Sequence, residues 1–451
     1  MGSFLTPFIS SAINIALPTI GTEFSTGALN LSWIATSYLL AAAVLLVPFG
    51  RLADIYGRKK IYFLGTLFFS ISSALCSIAM STEMLILFRI LQGISAALIF
   101  STGVAILTSV FNVGERGKAL GINVAVVYIG LSLGPTLGGL LTYYFSWRSI
   151  FLVNMALGLI TAILIIFYLK GEWVESAGEK FDLLGSILYA SGILGVMYGF
   201  SILSEMKGIY LVLSGSIIFL IFFYYEFRIS NPILNVSLFR KNRLFIFSSF
   251  AAFINYSATN AVGFLLSLYL QFIKTLTPQT AGVLLIIQPA IQALFSPLAG
   301  KLSDKIEPQK VASLGMVFTT LGLFTLIFLD MESSFLYIIM SLVFLGFGFS
   351  LFSSPNTNAV MSSVNKKYYG VASGILGTMR LTGQMFSMGI ATFFIAMHIG
   401  KAQITPTYYP LFLISFKQII LILTILCFIG IFCSLARGKS YQGIGDISNE
   451  K

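Results

Sequence analysis

Apolar runs of about twenty residues recur along almost the whole chain, separated only by short polar breaks. A run of that length crosses the hydrocarbon core of a bilayer as one helix. Because 57% of the 451 residues are hydrophobic, a water-soluble fold could not bury them all. We therefore expect an all-α membrane protein with 14 transmembrane helices. The predicted spans are residues 4–20, 32–49, 61–79, 84–110, 119–144, 148–169, 182–203, 209–227, 244–272, 280–300, 310–329, 335–361, 370–397 and 414–436.

The basic residues are divided unequally between the two sets of loops. Of the 27 lysines and arginines, twenty fall in alternate loops and the C-terminal tail, five in the other loops and two inside spans. Because such residues are retained in cytoplasmic loops, we expect both termini to be cytoplasmic, in a multi-pass protein of the plasma membrane. This distribution accounts for the net charge of +11 by topology, so nucleic acid is not expected as a partner.

The densest basic island, GRLADIYGRKK at residues 50–60, has a partial copy, GKLSD, at residues 300–304. The two copies follow the second predicted helix of the first six and the second of the last six, and a proline precedes each. We expect two six-helix bundles, because transporters are commonly built from such repeats with the substrate bound between them. The predicted divisions are 1–170 and 240–436 for the bundles, 182–227 for two inserted helices and 437–451 for a tail.

Further motifs fall on the helices in register with this arrangement. They are NIALP at 14–18, LFRILQG at 87–93, GLSLGPTLGG at 130–139, WRSIFLVN at 147–154 and GILGTMRLTG at 374–383. Together with residues 50–60 they resemble the major facilitator superfamily, and most closely its fourteen-helix drug:proton antiporter branch. The resemblance covers nearly the whole chain. It implies secondary active transport by alternating access, with the motif at 130–139 typical of antiport and export.

The resemblance implies a cytoplasmic gate at Gly50, Asp54, Gly57, Arg58 and Asp304 that locks one conformation. The glycines permit close backbone approach, and the Asp54 carboxylate can accept hydrogen bonds from arginine or from a helix N-terminus. The alternative is a charge cluster that only sets topology. The second copy lacks the basic half of the motif, so a lock at Asp304 should be weaker.

The fifth predicted helix carries Gly130, Gly134, Pro135, Gly138 and Gly139. Proline removes a backbone donor, and small residues let helices approach closely. The motif therefore predicts a flexible gate helix or, alternatively, a glycine packing face with an incidental kink.

Arg89 and Arg380 are the only charged residues placed well inside predicted spans. A cation at the bilayer centre costs about 2.5–3.5 kcal/mol even on lenient scales, so such residues usually face a cavity and mark a pathway. We expect Arg89 with Gln92, and Arg380 with Gln384, to belong to the substrate and proton pathway. Arg380 falls near the midplane. The alternative is a structural hydrogen-bond hub.

Carboxylates are missing where the antiporter branch usually has one. All sixteen acidic residues fall in loops, tails or span edges, and the position of the first-helix aspartate in that branch is Ile9 here. Three explanations stay open: a cationic cavity for anionic or zwitterionic substrates, coupling through an edge carboxylate such as Glu23, or a first helix that lacks its beginning. The remaining polar span residues would line the cavity or join helices, and they include Asn14, Asn123, Asn260, Gln288 and Asn356.

The sequence thus predicts a proton-coupled antiporter that exports small amphipathic, drug-like compounds. The alternative is a uniporter, an importer, or an exporter of anionic or zwitterionic molecules without a first-helix carboxylate. The expected partners are a small-molecule substrate, protons and the lipid bilayer, and the expected state is a monomer. We expect no enzymatic activity, cofactor or metal, because the sequence has no phosphate-binding loop and only one histidine.

Overall fold

The computed structural model describes residues 1–437 except 111–115, 175, 203–205, 230–231, 235–241, 365–368 and 401. Side chains also lie outside the described part at 108, 116–121, 124–125, 201, 304–305, 369–371 and 373. The side chain of Asp304, which the sequence predicts to be a gate residue, therefore lies outside the described part. So do residues 438–451 of the predicted tail at 437–451.

The described chain is almost entirely helical, with short connections. The helices are α1 Gly2–Glu23, α2 Ala28–Tyr56, α3 Arg58–Ser77, α4 Thr82–Val110, α5 Arg116–Tyr144, α6 Arg148–Tyr168, α7 Leu183–Ser201, α8 Met206–Glu226, α9 Arg243–Leu268, α10 Pro278–Leu285, α11 Ile287–Lys305, α12 Pro308–Leu326, α13 Phe335–Ser362, α14 Tyr369–His398 and α15 Tyr409–Leu435. A π-helical turn, Tyr269–Ile273, continues α9, and a 3₁₀ turn, Pro406–Tyr408, precedes α15.

Fourteen spans result, because α10 and α11 together form one, and the expectation of an all-α membrane fold is confirmed. Thirteen of the described segments are long and apolar enough to cross a membrane, and α14, with 30 residues, supplies the fourteenth helix. One span has a break that the sequence analysis did not predict. The span at 280–300 is two helices that meet at Ile286, with Thr277 capping the amide of Thr280 at the start of α10.

Helices pack mainly within the first six and within the last six. In the first six, α1 packs on α5, and α4 on both α2 and α3; in the last six, α9 packs on α14, and α13 on both α11 and α12. The inserted helices α7 and α8 pack on each other, and α7 also contacts α2 and α14. The insertion therefore touches both six-helix groups. The residue divisions given above for the bundles remain a proposal.

The two six-helix groups meet most closely on the side opposite to the basic loop at residues 50–60. There the Ala28 amide donates to the Ala402 carbonyl at 3.2 Å, and the Thr392 hydroxyl donates to Ser32 at 3.0 Å. Deeper in, Nε2 of Gln271 donates to the Ile15 carbonyl at 3.0 Å. Towards the basic-loop side, a Cβ added at Gly374 would meet no described atom within 4 Å. Direct hydrogen bonds thus join the halves on the side away from the basic loop.

Glycines set the distance between α1 and α5. A Cβ at Gly138 would lie 2.9 Å from the Cα of Ala12 and 3.0 Å from its carbonyl oxygen, so backbone packs on backbone there. Close approach of this kind is how membrane helices gain van der Waals contact without help from water.

We expect Gly138→Ala to lower stability by about 1–3 kcal/mol, because the added methyl group meets backbone that cannot rotate away. Thermal unfolding of the detergent-purified protein measures this. Gly374→Ala is the matched control, since it fills open space in a helix, where alanine is preferred to glycine by about 1 kcal/mol. Equal melting temperatures for the two variants would refute the packing argument.

Candidate functional site

Three tyrosines and one arginine come together between the two halves of the molecule, and we name them the central cluster: Tyr38 on α2, Tyr128 on α5, Tyr256 on α9 and Arg380 on α14. Arg380 lies close enough to Tyr38 and Tyr128 for its charge to act on both phenols. Its guanidinium carbon is 5.7 Å from the centre of the Tyr256 ring. Each half thus contributes two of the four side chains.

The Arg380 guanidinium has no hydrogen bond or ion pair to any described residue, and its side chain is only partly buried. It lies over the face of Tyr256, a cation–π arrangement. A cation held near the midplane without an acidic partner favours an anion or a hydrogen-bond acceptor from outside the chain. The sequence singled out Arg380, but it did not predict the tyrosines around it.

The hydroxyl groups of the cluster differ in how they are satisfied. The Tyr128 hydroxyl pairs with Ser353 and interacts with Gln292, so it bridges α5 to the second half of the chain. The Tyr38 hydroxyl is buried and has no hydrogen-bond partner among the described residues. Mid-span tyrosines on helices that face one another were the signal that sequence reasoning passed over, because it searched only for charges and amides.

Arg89 is buried, with 1% of its surface exposed. Its Nε donates to the Ile34 carbonyl at 3.1 Å, and one terminal nitrogen donates to Oε1 of Gln92 at 2.5 Å. Gln92 in turn donates to the Ser73 hydroxyl at 2.8 Å. The guanidinium also lies 4.2 Å from the centre of the Tyr38 ring. Arg89 therefore joins α2, α3 and α4 and supports one member of the central cluster.

The asparagine and glutamine side chains that the sequence analysis named as lining a cavity or joining helices do not meet in one place. The Asn260 amide donates to the Gln384 carbonyl at 3.3 Å, and Asn123 accepts from Ser3. The remaining three differ in burial: Asn14 and Gln288 are partly buried, and Asn356 is buried with its side-chain oxygen unbonded among described atoms.

Glu23, the edge carboxylate, lies at the end of α1 that faces away from the basic loop. Its carboxylate pairs with Arg148 at 2.7 Å and accepts from the Trp147 indole at 2.7 Å. It also borders a surface cleft of about 520 Å³ that Asn30 and Glu83 help to line. The position of the missing first-helix aspartate, Ile9, is completely buried. Neither residue places a carboxylate in the central cluster.

The basic loop forms a compact charged unit. The Asp54 carboxylate accepts from two nitrogens of Arg58 at 2.9 and 2.7 Å, and Arg58 also donates to the Ser109 hydroxyl at 2.7 Å. Gly57 has a φ of +110°, a conformation that few other residues adopt. Gly50 faces α4, where a Cβ would lie 3.6 Å from that of Ser101.

A segment that the sequence did not single out covers this loop, and we name it the 171–181 linker. The Glu172 carboxylate accepts from the amides of Lys59 at 2.8 Å and Lys60 at 3.2 Å, at the N-terminus of α3. The Ser176 amide donates to the Asp54 carbonyl at 3.0 Å, and Glu179 pairs with Arg51. The signal was present, since three acids lie within eight residues, at positions 172, 175 and 179, in a chain that is only 10% charged.

The glycines of α5 pack against two different helices. Gly130, Gly134 and Gly138 face α1, where a Cβ at Gly130 would lie 2.9 Å from the Phe4 carbonyl oxygen. Gly139 faces α10 of the second half: its Cβ would lie 2.5 Å from the Pro278 carbonyl oxygen. Pro135 lies inside a continuous helix, and its carbonyl faces Gly282 of α10. The motif therefore lies where the two halves touch.

Comparison with known families agrees with this architecture. The profile described as Major Facilitator Superfamily matches residues 1–242 and 248–443 of this chain. The chain belongs to the major facilitator superfamily. As a member of that superfamily it is a multi-pass membrane transporter of small molecules and not an enzyme.

Two superfamily members illustrate the range of its relatives. Riboflavin transporter RibZ of Clostridioides difficile (strain 630) is 32% identical over 433 residues, which are 96% of this chain and 94% of that protein. Multidrug resistance protein Stp of Mycobacterium tuberculosis (strain CDC 1551 / Oshkosh) is 31% identical over 396 residues, or 86% and 73% of the two chains. Among solved structures, the peptide transporter POT in complex with sulfate matches with a TM-score of 0.69 at 15% identity, over 97% of this chain and 93% of that chain, which supports the fold.

The contact between the 171–181 linker and α3 can be tested by hydrogen exchange. In Glu172→Gln we expect the amides of Lys59 and Lys60 to exchange a few-fold faster, because a neutral amide is a weaker acceptor than a carboxylate. Glu332→Gln, an exposed change elsewhere, is the control. Unchanged exchange in Glu172→Gln would show that the linker does not hold the loop.

Proposed function

We propose that this transporter moves a small aromatic compound, uncharged or anionic, by alternating access, and that the central cluster contacts the substrate. The observation that supports it most is the Arg380 guanidinium, which has no acidic partner in the described chain and lies among tyrosines from both halves. A site shared by the two halves is suited to alternating access, because a rocking motion changes its exposure from one side to the other.

Charge and shape both limit the substrate class. A cationic drug would meet the Arg380 charge with no described carboxylate in the cluster to offset it, whereas an anion or a carbonyl-rich molecule would gain charge-assisted hydrogen bonds. The central cluster is aromatic as well as cationic, which suits a flat ring system. Riboflavin, named for the relative RibZ, is an uncharged planar aromatic and is the first compound to test.

The side that is open and the direction of transport belong to the same proposal. With the basic loops cytoplasmic, as the charge distribution favours, the contacts between Ala28 and Ala402 and between Ser32 and Thr392 close the outer side. The structure is then inward-facing, the state in which an exporter loads its substrate.

Proton-coupled efflux of drug-like compounds is a second candidate. It is supported by the α5 motif at the junction of the halves and by the similarity to Stp. Against it stands the buried Ile9 at the position where the antiporter branch usually has an aspartate. Coupling would then need a carboxyl group elsewhere in the chain.

Substrate class can be measured on purified protein as ligand-induced thermal stabilisation. Riboflavin and anionic aromatic compounds are expected to raise the melting temperature, and flat cations of similar size are not. In Arg380→Ala the affinity should fall roughly 10- to 100-fold, the loss of a hydrogen bond to a charged group. Arg228→Ala, which removes an exposed arginine near Tyr224, should bind as the unaltered protein does. Stabilisation by cations alone would overturn the proposal.

Coupling can be decided in proteoliposomes loaded with the compound that stabilises best. If antiport operates, an imposed pH gradient drives the compound uphill, and substrate flux moves protons the other way. A flux that only equalises concentrations, at a rate indifferent to the gradient, would leave facilitated diffusion and eliminate the second candidate.

A further inference from the structure

Two acidic side chains meet at one end of the inserted helices. Asp182 is the N-cap of α7, and Glu226 is the last residue of α8. They are only 7% and 4% exposed, although acidic side chains are rarely buried unless paired. We name them the carboxyl pair. Neither residue belongs to the central cluster or to the basic loop.

Each carboxyl group has one oxygen bonded and one free. Oδ1 of Asp182 accepts from the Gly185 amide at 2.9 Å and from the Tyr225 hydroxyl at 3.2 Å, and Oε2 of Glu226 accepts from the Leu234 amide at 3.0 Å. The other two oxygens, Oδ2 of Asp182 and Oε1 of Glu226, are buried and unbonded within the described chain.

The two free oxygens converge on the same point above Gly185. A Cβ at that position would collide with Oδ2 of Asp182 and lie 2.7 Å from Oε1 of Glu226. A glycine at 185 therefore leaves space in which the two carboxyl groups can face each other. Any larger residue would separate them.

No lysine or arginine of the described chain pairs with either carboxyl group. The groups that face the pair are the Tyr225 hydroxyl from α8, the Gly185 amide from α7 and the Ile233 and Leu234 amides from the connection to α9. On α2, the helix that packs on α7, Arg51 pairs with Glu179 instead. Two buried negative charges in contact repel strongly, and sharing a proton removes that repulsion.

We propose that the carboxyl pair is a proton-binding site that holds one shared proton at neutral pH. The proton comes from water and binds at one of the two free oxygens, where it donates a hydrogen bond to the other. The pair then carries a single negative charge, which the Gly185, Tyr225 and Leu234 donors solvate. The site depends on neither the substrate nor the direction of transport.

The position of the pair gives the proton a mechanical consequence. Leu234, held by Glu226, packs against the cluster that Tyr189 and Phe222 form on the inserted helices and against the cluster that contains Phe245 of α9. On the other side, the 171–181 linker leads directly into Asp182. Loss of the shared proton would leave two repelling charges beside the two segments, the 171–181 linker and the connection through Leu234, that join the inserted helices to the halves.

Infrared difference spectroscopy between pH 7 and higher pH tests for the proton. The unaltered protein should show a protonated carboxyl band at pH 7 that disappears on raising the pH, and the band should be absent in Glu226→Gln. In Asp182→Asn the band should be absent at pH 7 or should disappear at a lower pH than in the unaltered protein. The reason is that Glu226 then has no carboxylate with which to share the proton. A band in Asp182→Asn identical to that of the unaltered protein would show that burial alone protonates Glu226, and would overturn the shared site.

Two further measurements separate a proton site from its rivals. Replacing a large organic cation in the buffer by sodium should leave the carboxyl band unchanged. If sodium abolished the band, the pair would be a metal-cation site and the proposal would be refuted. Hydrogen exchange should show the Leu234 amide becoming less protected above the pH at which the band is lost, with Glu332→Gln as the control variant. If the protection of the Leu234 amide did not change when the band is lost, the proposed link between the proton and this connecting segment would be refuted.

Discussion

The constraint on which this structure depends is that a charged side chain cannot remain isolated in the membrane. Removing a charged side chain from water is expensive, so each one inside a span must find partners or face a cavity. Arg89 follows the first course, with a backbone carbonyl, Gln92 and the Tyr38 ring around it. The Arg380 guanidinium has no such partner in the described chain and lies over the Tyr256 face, near Tyr38 and Tyr128. Two arginines that look alike in the sequence thus have different surroundings.

The sequence predicted the fold well because the bilayer limits it so strongly. Only a helix satisfies its own backbone within a single span, so run lengths locate the helices, and the number of spans follows. The break at Ile286 was missed although Pro289, which cannot donate to a carbonyl one turn earlier, follows it closely. What the sequence located less well was the site. Asn123 and Asn260 are polar and mid-span, yet they bond to Ser3 and to the Gln384 backbone, and only three-dimensional contacts reveal that.

The inserted helices connect parts of the molecule that alternating access must move. Helix α7 contacts α2 and α14, which themselves meet between the halves. The 171–181 linker holds the basic loop through Glu172, while Leu234 packs against the start of α9. An acidic pair at the base of these two connections is chemically unlike the central cluster, which is cationic and aromatic. If both proposals hold, a substrate and a proton bind at separate sites.

The central claim is that the substrate supplies the hydrogen-bond acceptor for the Arg380 guanidinium. An experimental structure with riboflavin, or with the most stabilising aromatic compound, tests this most directly. The account predicts the ligand between the halves, with an acceptor atom within hydrogen-bond distance of the Arg380 guanidinium and a ring against Tyr38, Tyr128 or Tyr256. A ligand bound elsewhere, with Arg380 paired to a carboxylate of the chain, would contradict it.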